Sequence, residues 1–275
     1  MTLQWLARKT SGFFGREAPL IKALRPAYNA ALYLRSSGKG VELTFNGHER
    51  FRVDPWTRYH FPPDKDPEVC AYLRGHLRQG AVCLNVGAHV GLYALLLSHW
   101  SGPSGHVYAF EPNPFANRVL AKHVALNGFQ DRIEVIAAAV ASASGECVFC
   151  AEGLEVHSRL ARPNPGAVDH TFSKITVPVT TIDDFCRTRG IRPDCITLDI
   201  EGSEVEALFG AGECIREQRG RLELIVELHP HLWNVAGTSP QRLQQALDEF
   251  GLRARPLSGQ RDPLAEYGIV RLEYA

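Results

Sequence analysis

The sequence predicts an α/β fold built on a doubly wound, mostly parallel sheet. From about residue 81, segments with strand character alternate with segments of helical periodicity, which implies parallel strands joined by crossover helices. Three predominantly apolar segments, VCLNV, CITL and LELIV, suit strands that are buried on both faces. Hydrophobic residues make up 45% of the 275-residue chain and charged residues 22%, a composition that supports a sizeable core.

The predicted elements of this sheet follow one another closely, apart from one insertion. Strands are expected at 81–86, 106–111, 133–138, 195–199 and 222–228, with a closing pair at 253–256 and 268–273. Helices are expected at 90–100, 115–126, 203–209 and 241–250. The segment from Glu152 to Ser173 is irregular, and we expect either a lid or ligand-binding element, or a surface insertion.

An N-terminal extension, residues 1–80, is predicted to precede the main domain at residues 81–275. Apolar residues recur at helical intervals as far as Arg35, and Asn46-Gly47 then joins two short strand-like segments, 41–45 and 50–53. A helix is expected from Pro67 to Leu77. Because basic residues cluster among the apolar ones in the first forty residues, this segment is expected to pack within the protein, to join a second copy, or to lie on an anionic membrane.

Charge and cysteine content restrict the classes of partner and compartment. Lysine and arginine together number 30, as do aspartate and glutamate, so no net charge draws the chain to nucleic acid. Seven cysteines, an odd number without a disulfide framework, fit a reducing compartment. No apolar run approaches the roughly 20 residues that span a bilayer. We therefore expect a cytoplasmic protein with no nucleic-acid partner and no stable membrane association.

A glycine motif follows the first predicted strand of the sheet. The strand ends in Asn85-Val86-Gly87-Ala88-His89-Val90-Gly91. Gly87 permits a tight strand-to-helix turn, and Gly91 lets the helix pack closely and leaves room for a ligand. In doubly wound sheets, ligands bind at the carboxyl ends of the strands. The motif therefore predicts a nucleotide or nucleoside site.

The next strand ends at Glu111, where a carboxylate can accept hydrogen bonds from both ribose hydroxyls of an adenosine. A nicotinamide enzyme would share this acid, but would also need G-x-G-x-x-G to admit a diphosphate. This chain has G-x-x-x-G with His89 inside it. The motif favours S-adenosylmethionine, and a nicotinamide oxidoreductase or a non-catalytic adenosine-binding module remain the alternatives.

Several motifs together resemble the FkbM family of methyltransferases. They are Asn85-Val-Gly-Ala-His-Val-Gly91, Phe110-Glu-Pro-Asn-Pro114, Asn127, Thr181-Ile-Asp-Asp184 and Leu198-Asp-Ile-Glu-Gly-Ser-Glu204. The resemblance covers roughly residues 81–230. It implies a seven-stranded, Rossmann-like class I methyltransferase fold that uses S-adenosylmethionine to methylate an oxygen, usually of a sugar or secondary metabolite. The expected cofactor-binding residues are Asn85, Gly87, Ala88, His89, Gly91, Glu111, Pro112, Asn113, Ala138 and Asp199.

Two positions depart from the usual family motif. The family usually opens the glycine motif with Asp, where this chain has Asn85, and usually places Asn where this chain has His89. Asn85 can still accept a hydrogen bond from the cofactor's amino group, but without a charge. Because charge-assisted bonds are about twice as strong as neutral ones, we expect weaker cofactor binding than is usual. His89 is expected either to restore a contact or only to fill space.

Methyl transfer to an alcohol also needs a base that takes the hydroxyl proton. Asp199 and Glu201 follow one strand, and Glu227 and His229 end the next. We expect Asp199 beside the transferred methyl group, His229 as the general base, and Glu201 near both, the alternative for His229 being a plain loop histidine.

A neighbouring acid, Glu204, is expected to complement the N-terminus of its helix. The four residues Asp199, Glu201, Glu227 and His229 also suit a divalent cation, but nothing in their spacing requires one, and none is expected. The expected partner is a small hydroxylated acceptor, and the N-terminal helices are a candidate surface for homo-oligomers.

Overall fold

The structure of the protein, a computed structural model, describes residues 19–151, 159–160 and 173–275. This part of the chain divides into two compact units, with the boundary between Pro63 and Asp64. The predicted boundary at residue 80 differs from this division, because the helix that begins at Pro67 belongs to the second unit. Residues 1–18 and most of the insertion lie outside the described residues, so the expectations for them stay predictions.

The first unit contains one helix and one hairpin. Helix α1 spans Pro19–Arg35, and strands β1 (Val41–Phe45) and β2 (Glu49–Val53) pair antiparallel. Asn46 and Gly47 both have positive φ, 45° and 73°, as the predicted hairpin turn requires. A single 3-10 turn, Arg58–His60, follows.

The second unit is built on a seven-stranded sheet. Its strands are β3 (Val82–Val86), β4 (His106–Phe110), β5 (Ile133–Ile136), β10 (Cys195–Leu198), β11 (Glu223–Leu228), β12 (Leu252–Pro256) and β13 (Gly268–Tyr274). Their order is β12-β13-β11-β10-β3-β4-β5. Strand β13 runs antiparallel to both of its neighbours, β11 and β12, and the other six strands of this sheet point in one direction. The predicted doubly wound, mostly parallel seven-stranded sheet is confirmed.

Helices cover both faces of this sheet. From β3 the chain continues to β4 and β5 on one side, and from β10 it continues to β11 on the other side, so right-handed crossovers place their helices on opposite faces. They are α2 (Pro67–His76), α3 (Leu92–Trp100), α4 (Pro114–Leu126), α5 (Ile182–Arg189), α6 (Glu204–Phe209), α7 (Gly212–Glu217), α8 (Pro230–Ala236) and α9 (Pro240–Phe250). On one face, Leu84 and Ile196 of the central strands pack with Leu208 of α6 and Leu247 of α9. None of the described helices has the length and apolar character needed to cross a membrane.

A smaller sheet lies within the sequence between β5 and α5. It comprises β6 (Ala139–Val140), β7 (Gly145–Ala151), β8 (Arg159–Leu160) and β9 (Ser173–Thr180), in the order β6-β9-β7-β8. The predicted strand 133–138 corresponds to β5, which ends at Ile136. Of the predicted lid or binding element, only 159–160 and Ser173 fall within the described residues, and both belong to this sheet.

The register of the central strands brings their carboxyl ends level with one another. Val86 of β3 lies opposite Phe110 of β4 and Leu198 of β10, and Leu198 lies opposite Val226 of β11. The chain passes from β3 to β4 on one side and from β10 to β11 on the other, so the switch point of the fold lies between β3 and β10. The residues that follow these four strands meet along one edge, which is where a ligand site is expected.

Candidate functional site

The turn after β3 is tight and touches both neighbouring strands. The backbone N–H groups of Gly87 and Ala88 donate to the Phe110 carbonyl at 3.0 and 2.9 Å. Gly87 has φ 83°, and a Cβ atom there would lie 1.8 Å from the Asp199 carbonyl oxygen. Only glycine allows this approach, so Gly87 joins the end of β3 to the end of β10.

The second glycine of the motif is required for helix packing. Gly91 has φ 101°, and a Cβ atom there would lie 2.5 Å from Cδ1 of Leu120 in α4. Its positive φ also explains why α3 begins at Leu92, two residues later than predicted. The close packing expected of Gly91 is therefore present, and its immediate reason is a neighbouring helix.

His89 adopts a left-handed conformation with φ 48°. Among non-glycine residues this conformation favours Asn, Asp and His, which explains why His89 can stand where the family usually has Asn. The His89 N–H donates to Oε2 of Glu111 at 2.7 Å. The backbone of His89 thus supports Glu111, whatever its side chain does.

Glu111 follows β4 and is only 6% exposed. Its Oε1 accepts from the Asn113 N–H at 2.8 Å, and the Asn113 side chain in turn caps α4 by accepting from the Phe115 N–H at 3.0 Å. Burial raises the pKa of Glu111 to about 7, against the opposing effect of the two N–H donors. Each carboxylate oxygen retains acceptor capacity for a hydroxyl, as the ribose role requires.

Asn85 is buried between the central strands. Its Nδ2 donates to Oγ1 of Thr197, its register partner in β10, at 3.0 Å. Within the described part of the chain, its Oδ1 is buried and accepts no hydrogen bond. An unpaired buried acceptor is costly, so this oxygen suits a ligand that brings a donor, such as an amino group.

The remaining expected cofactor residues lie at the same edge of the sheet. Pro112 is half-buried between Glu111 and Asn113, and Ala138 is buried just beyond the end of β5. No described hydrogen bond places either of them against the glycine turn.

The predicted catalytic residues meet at the ends of β10 and β11. Nε2 of His229 lies 3.9 Å from Oδ1 of Asp199 and 3.7 Å from Oε2 of Glu201. Glu201 is left-handed, with φ 47°, and such strain outside glycine is typical of functional sites. The side chain of Asp199 is 42% exposed, whereas those of Glu201 and His229 are 18% and 4% exposed. Each of the three side chains offers one potential ligand atom, and these three atoms lie within 4.8 Å of one another, close enough to hold a metal ion.

Charges around this cluster shift its pKa values. Although the Asp199 side chain is partly exposed, nearby protein reduces the hydration of its carboxylate, and this effect, followed by the charge of Glu227, raises its pKa well above the usual range. For His229, burial opposes protonation, but Glu204, Asp199 and Glu201 outweigh it and raise the pKa to about 9. The sequence-based reason for choosing His229 as the base, an unperturbed pKa near neutrality, therefore does not hold.

Glu204 has a different environment from the one expected. It is fully buried, and its Oε1 accepts from Nδ1 of His229 at 2.7 Å. The expected role at a helix N-terminus requires no such contact, so the sequence interpretation missed this partner of His229. His229 directly follows β11 and Glu204 lies beyond the end of β10, so the contact depends on the pairing of these two strands, which sequence spacing does not show.

A lysine near the cluster was also missed. Nζ of Lys65 lies 2.8 Å from Oδ2 of Asp66, which also accepts from the Tyr93 hydroxyl at 2.9 Å. Burial disfavours the charge on Lys65, but Glu227, Asp66 and Asp199 outweigh it and raise its pKa. Lys65 stands in a Pro-rich loop whose sequence carries no motif, so only the fold places it near these acids.

Glu227 is the penultimate residue of β11 and is 6% exposed. It accepts a short hydrogen bond from the Tyr267 hydroxyl, and the Tyr267 ring lies 5.2 Å from the ring of His229. Tyr267 is 57% exposed, so the cluster is bordered by an accessible aromatic ring with an anchored hydroxyl.

Comparisons with known proteins agree with the resemblance seen in the motifs. A family model described as the methyltransferase FkbM domain matches residues 85–253. The methyltransferase sdnD from Sordaria araneosa is 23% identical over 206 residues, which cover 66% of this chain and 76% of that protein.

Two solved structures with similar folds are an FkbM methyltransferase and a fibrillarin. The FkbM methyltransferase from Methylobacillus flagellatus KT has a TM-score of 0.45 and 16% identity, covering 74% of this chain and 50% of its own. The fibrillarin from Aeropyrum pernix, in complex with natively bound S-adenosyl-L-methionine, has a TM-score of 0.44 and 15% identity, covering 85% of this chain and 82% of its own. This chain thus spans half the length of the Methylobacillus protein.

Proposed function

The chain belongs to the FkbM methyltransferase family, and we propose that it transfers the methyl group of S-adenosylmethionine to a hydroxyl oxygen of a small acceptor. The acceptor class we propose is a sugar or a secondary metabolite. The observation that carries the proposal is the cluster of Asp199, Glu201 and His229, which gathers beside the turn at Gly87. The proximity of these acidic and basic side chains to the expected cofactor site supports the proposal.

The residues present fit the cofactor. The unpaired Oδ1 of Asn85 suits its amino group, and Glu111 has acceptor capacity for the ribose hydroxyls. When bound, S-adenosylmethionine supplies a methyl group on a positively charged sulfur, and that charge disfavours an imidazolium nearby. A nicotinamide enzyme needs a diphosphate-binding glycine pattern that this chain lacks, and the family is one of methyltransferases.

His229 is the proposed acceptor of the hydroxyl proton. Only the neutral imidazole can accept it, and this form is the minor one at neutral pH, because the pKa of His229 is raised to about 9. Glu204, which is bonded to Nδ1, and Glu201, 3.7 Å from Nε2, stabilise the imidazolium that forms after proton transfer. We therefore expect the rate of methyl transfer to rise with pH until His229 is deprotonated.

The test is methyl transfer from radiolabelled S-adenosylmethionine to a panel of hydroxylated acceptors, with and without EDTA. We expect a labelled ether product, and activity that survives EDTA. Cofactor binding without transfer to any acceptor would favour the non-catalytic adenosine-binding alternative. Loss of activity in EDTA and its return with Mg²⁺ would instead assign Asp199, Glu201 and His229 to a metal, and the base mechanism would be wrong.

A further inference from the structure

Glu204 is the most deeply buried acid at the site, with 0% of its side chain exposed. Three donors hold it, one from the loop before α6 and two from the start of α8. Its Oε1 accepts from the Gly202 N–H at 2.8 Å and from Nδ1 of His229 at 2.7 Å, and its Oε2 accepts from Nε1 of Trp233 at 3.2 Å. An isolated buried carboxylate would be strongly destabilising, and these three bonds compensate its lost hydration.

These contacts determine which nitrogen of His229 carries the proton in the neutral form. An ionised carboxylate only accepts hydrogen bonds, so Nδ1 must donate. The lone pair of the neutral ring then lies on Nε2, which faces Asp199 and Glu201 rather than the core. Because Gly202 and Trp233 fix the carboxylate, neither the carboxylate nor the imidazole ring can rotate without breaking a buried bond.

We propose that Glu204 is the positioning residue of the base, holding His229 in the tautomer and orientation that present Nε2 to the acceptor. This inference rests on the proposed role of His229 as proton acceptor. Glu204 itself touches neither acceptor nor cofactor in this scheme. It acts through His229, as outer carboxylates orient histidines in other catalytic sites.

The charged and titratable groups around His229 come from several elements. Asp199 and Glu201 follow β10, Glu204 begins α6, His231 lies in α8 with its ring 5.9 Å away, and Tyr267 precedes β13. Glu204 contacts Nδ1, and its hydrogen bond is the largest of the effects that raise the pKa of His229.

The first test needs no acceptor and no variant. Nitrogen-15 NMR of the imidazole side chains distinguishes the two tautomers and follows the titration of each ring. We expect Nδ1 of His229 to remain protonated across the titration, and the ring to lose its second proton, from Nε2, near pH 9. A neutral ring protonated on Nε2, or one that exchanges between tautomers, would overturn the proposal.

The second test compares Glu204→Gln and Glu204→Asp with Glu206→Gln. Glu206 lies on the same helix, but bonds Ser142 at 2.6 Å and is 3.9 Å from Arg242, away from His229. Glu204→Gln should lower the pKa of His229 by about 1 unit or more, because the charge is lost. Glu204→Asp retains the charge, so the pKa of His229 should stay closer to the wild-type value than it does in Glu204→Gln. Glu206→Gln should leave the pKa of His229 unchanged.

Kinetics then separate this inference from the proposed function. With an active acceptor, Glu204→Gln should lower kcat about 10-fold or more and change KM little, and should move the pH–rate profile toward lower pH. An unchanged profile in folded Glu204→Gln, with wild-type cofactor affinity, would contradict the positioning role. If instead His229→Asn keeps full turnover, the base assignment fails, although the NMR titration still reports the Glu204 contact.

Discussion

The two halves of the site are built in different ways. In the cofactor half, after β3 and β4, backbone N–H groups of His89 and Asn113 hold the Glu111 carboxylate. In the acceptor half, after β10 and β11, side chains hold side chains, as in the pair of Glu204 and His229. The first half has one buried carboxylate, whereas the second collects several acids around an imidazole.

We propose that this difference separates cofactor binding from the chemical step. A backbone scaffold is rigid and insensitive to side-chain changes, which suits a nucleoside whose shape does not vary. A network of side chains can shift pKa values and can be retuned by single substitutions, which suits a variable acceptor and a proton transfer. Variants in one half should therefore affect one kinetic parameter and spare the other.

The largest separation is expected from His229→Asn. Removing the proposed base should lower turnover by about 10²–10⁴-fold, while the affinity for S-adenosylmethionine measured by calorimetry should stay the same. His99→Asn, an exposed histidine at the end of α3, is the matched control and should affect neither quantity. Full turnover in folded His229→Asn would break the comparison, because the acceptor half would then lack its base.

The converse separation is expected from Glu111→Gln. The carboxylate accepts from the N–H groups of His89 and Asn113 on separate oxygens and is expected to accept from the ribose as well. The amide has only one accepting oxygen, so cofactor affinity should fall about 10-fold or more. At saturating cofactor, turnover should change much less. Glu134→Gln, which removes a surface partner of Arg189, is the control. Unchanged affinity by calorimetry would remove Glu111 from the cofactor site.

The pH dependence of cofactor binding is a smaller effect in the same half. Hydroxyl donors favour the ionised Glu111, whose pKa is raised to about 7 in the free protein. Below that pH, binding must first release the proton, so affinity should fall by up to about 10-fold per pH unit, and it should level off above pH 7. Glu111→Gln should abolish this component in the same titration; a wild-type affinity that is flat between pH 5 and 7 would contradict it.

The smallest effect is expected from removing residues 1–36. All cofactor contacts proposed here lie beyond Gly80, so affinity for S-adenosylmethionine should be unchanged. Turnover or mass in solution should fall instead, since we propose that the N-terminal segment covers the acceptor site or joins a second copy. Loss of cofactor binding by a folded deletion variant would show that the segment helps to form the cofactor half.

The cofactor half could be predicted from the sequence because it is local. Gly87, Gly91 and Glu111 stand in two short motifs directly after predicted strands, and the structure places them along one edge. Strand ends were correct to within two residues at β3, β4 and β11 because these segments are predominantly apolar. Helix α5 was missed, although Thr181 and Asp184 form a recognisable N-cap, with the Thr181 hydroxyl accepting from the Asp184 N–H at 2.9 Å.

The acceptor half could be predicted only in part, because it depends on contacts between distant segments. Asp199, Glu201 and His229 were expected from their positions after two strands, and the register of β10 and β11 brings them together. The raised pKa of His229 depends on Glu204, 25 residues earlier, and Lys65 comes from a loop before the sheet begins. Sequence spacing contains no information on such pairs until the topology is known.

The left-handed backbone at His89 and Glu201 has a consequence for selection in the laboratory. A non-glycine residue in this conformation costs about 1–2 kcal/mol, and glycine avoids the cost while losing about 0.5–1 kcal/mol of chain entropy. Directed evolution for heat resistance alone should therefore accept glycine at Glu201, at the expense of the side chain that faces His229. Variants selected only for heat resistance would therefore lose activity, unless methyl transfer were also selected at every round.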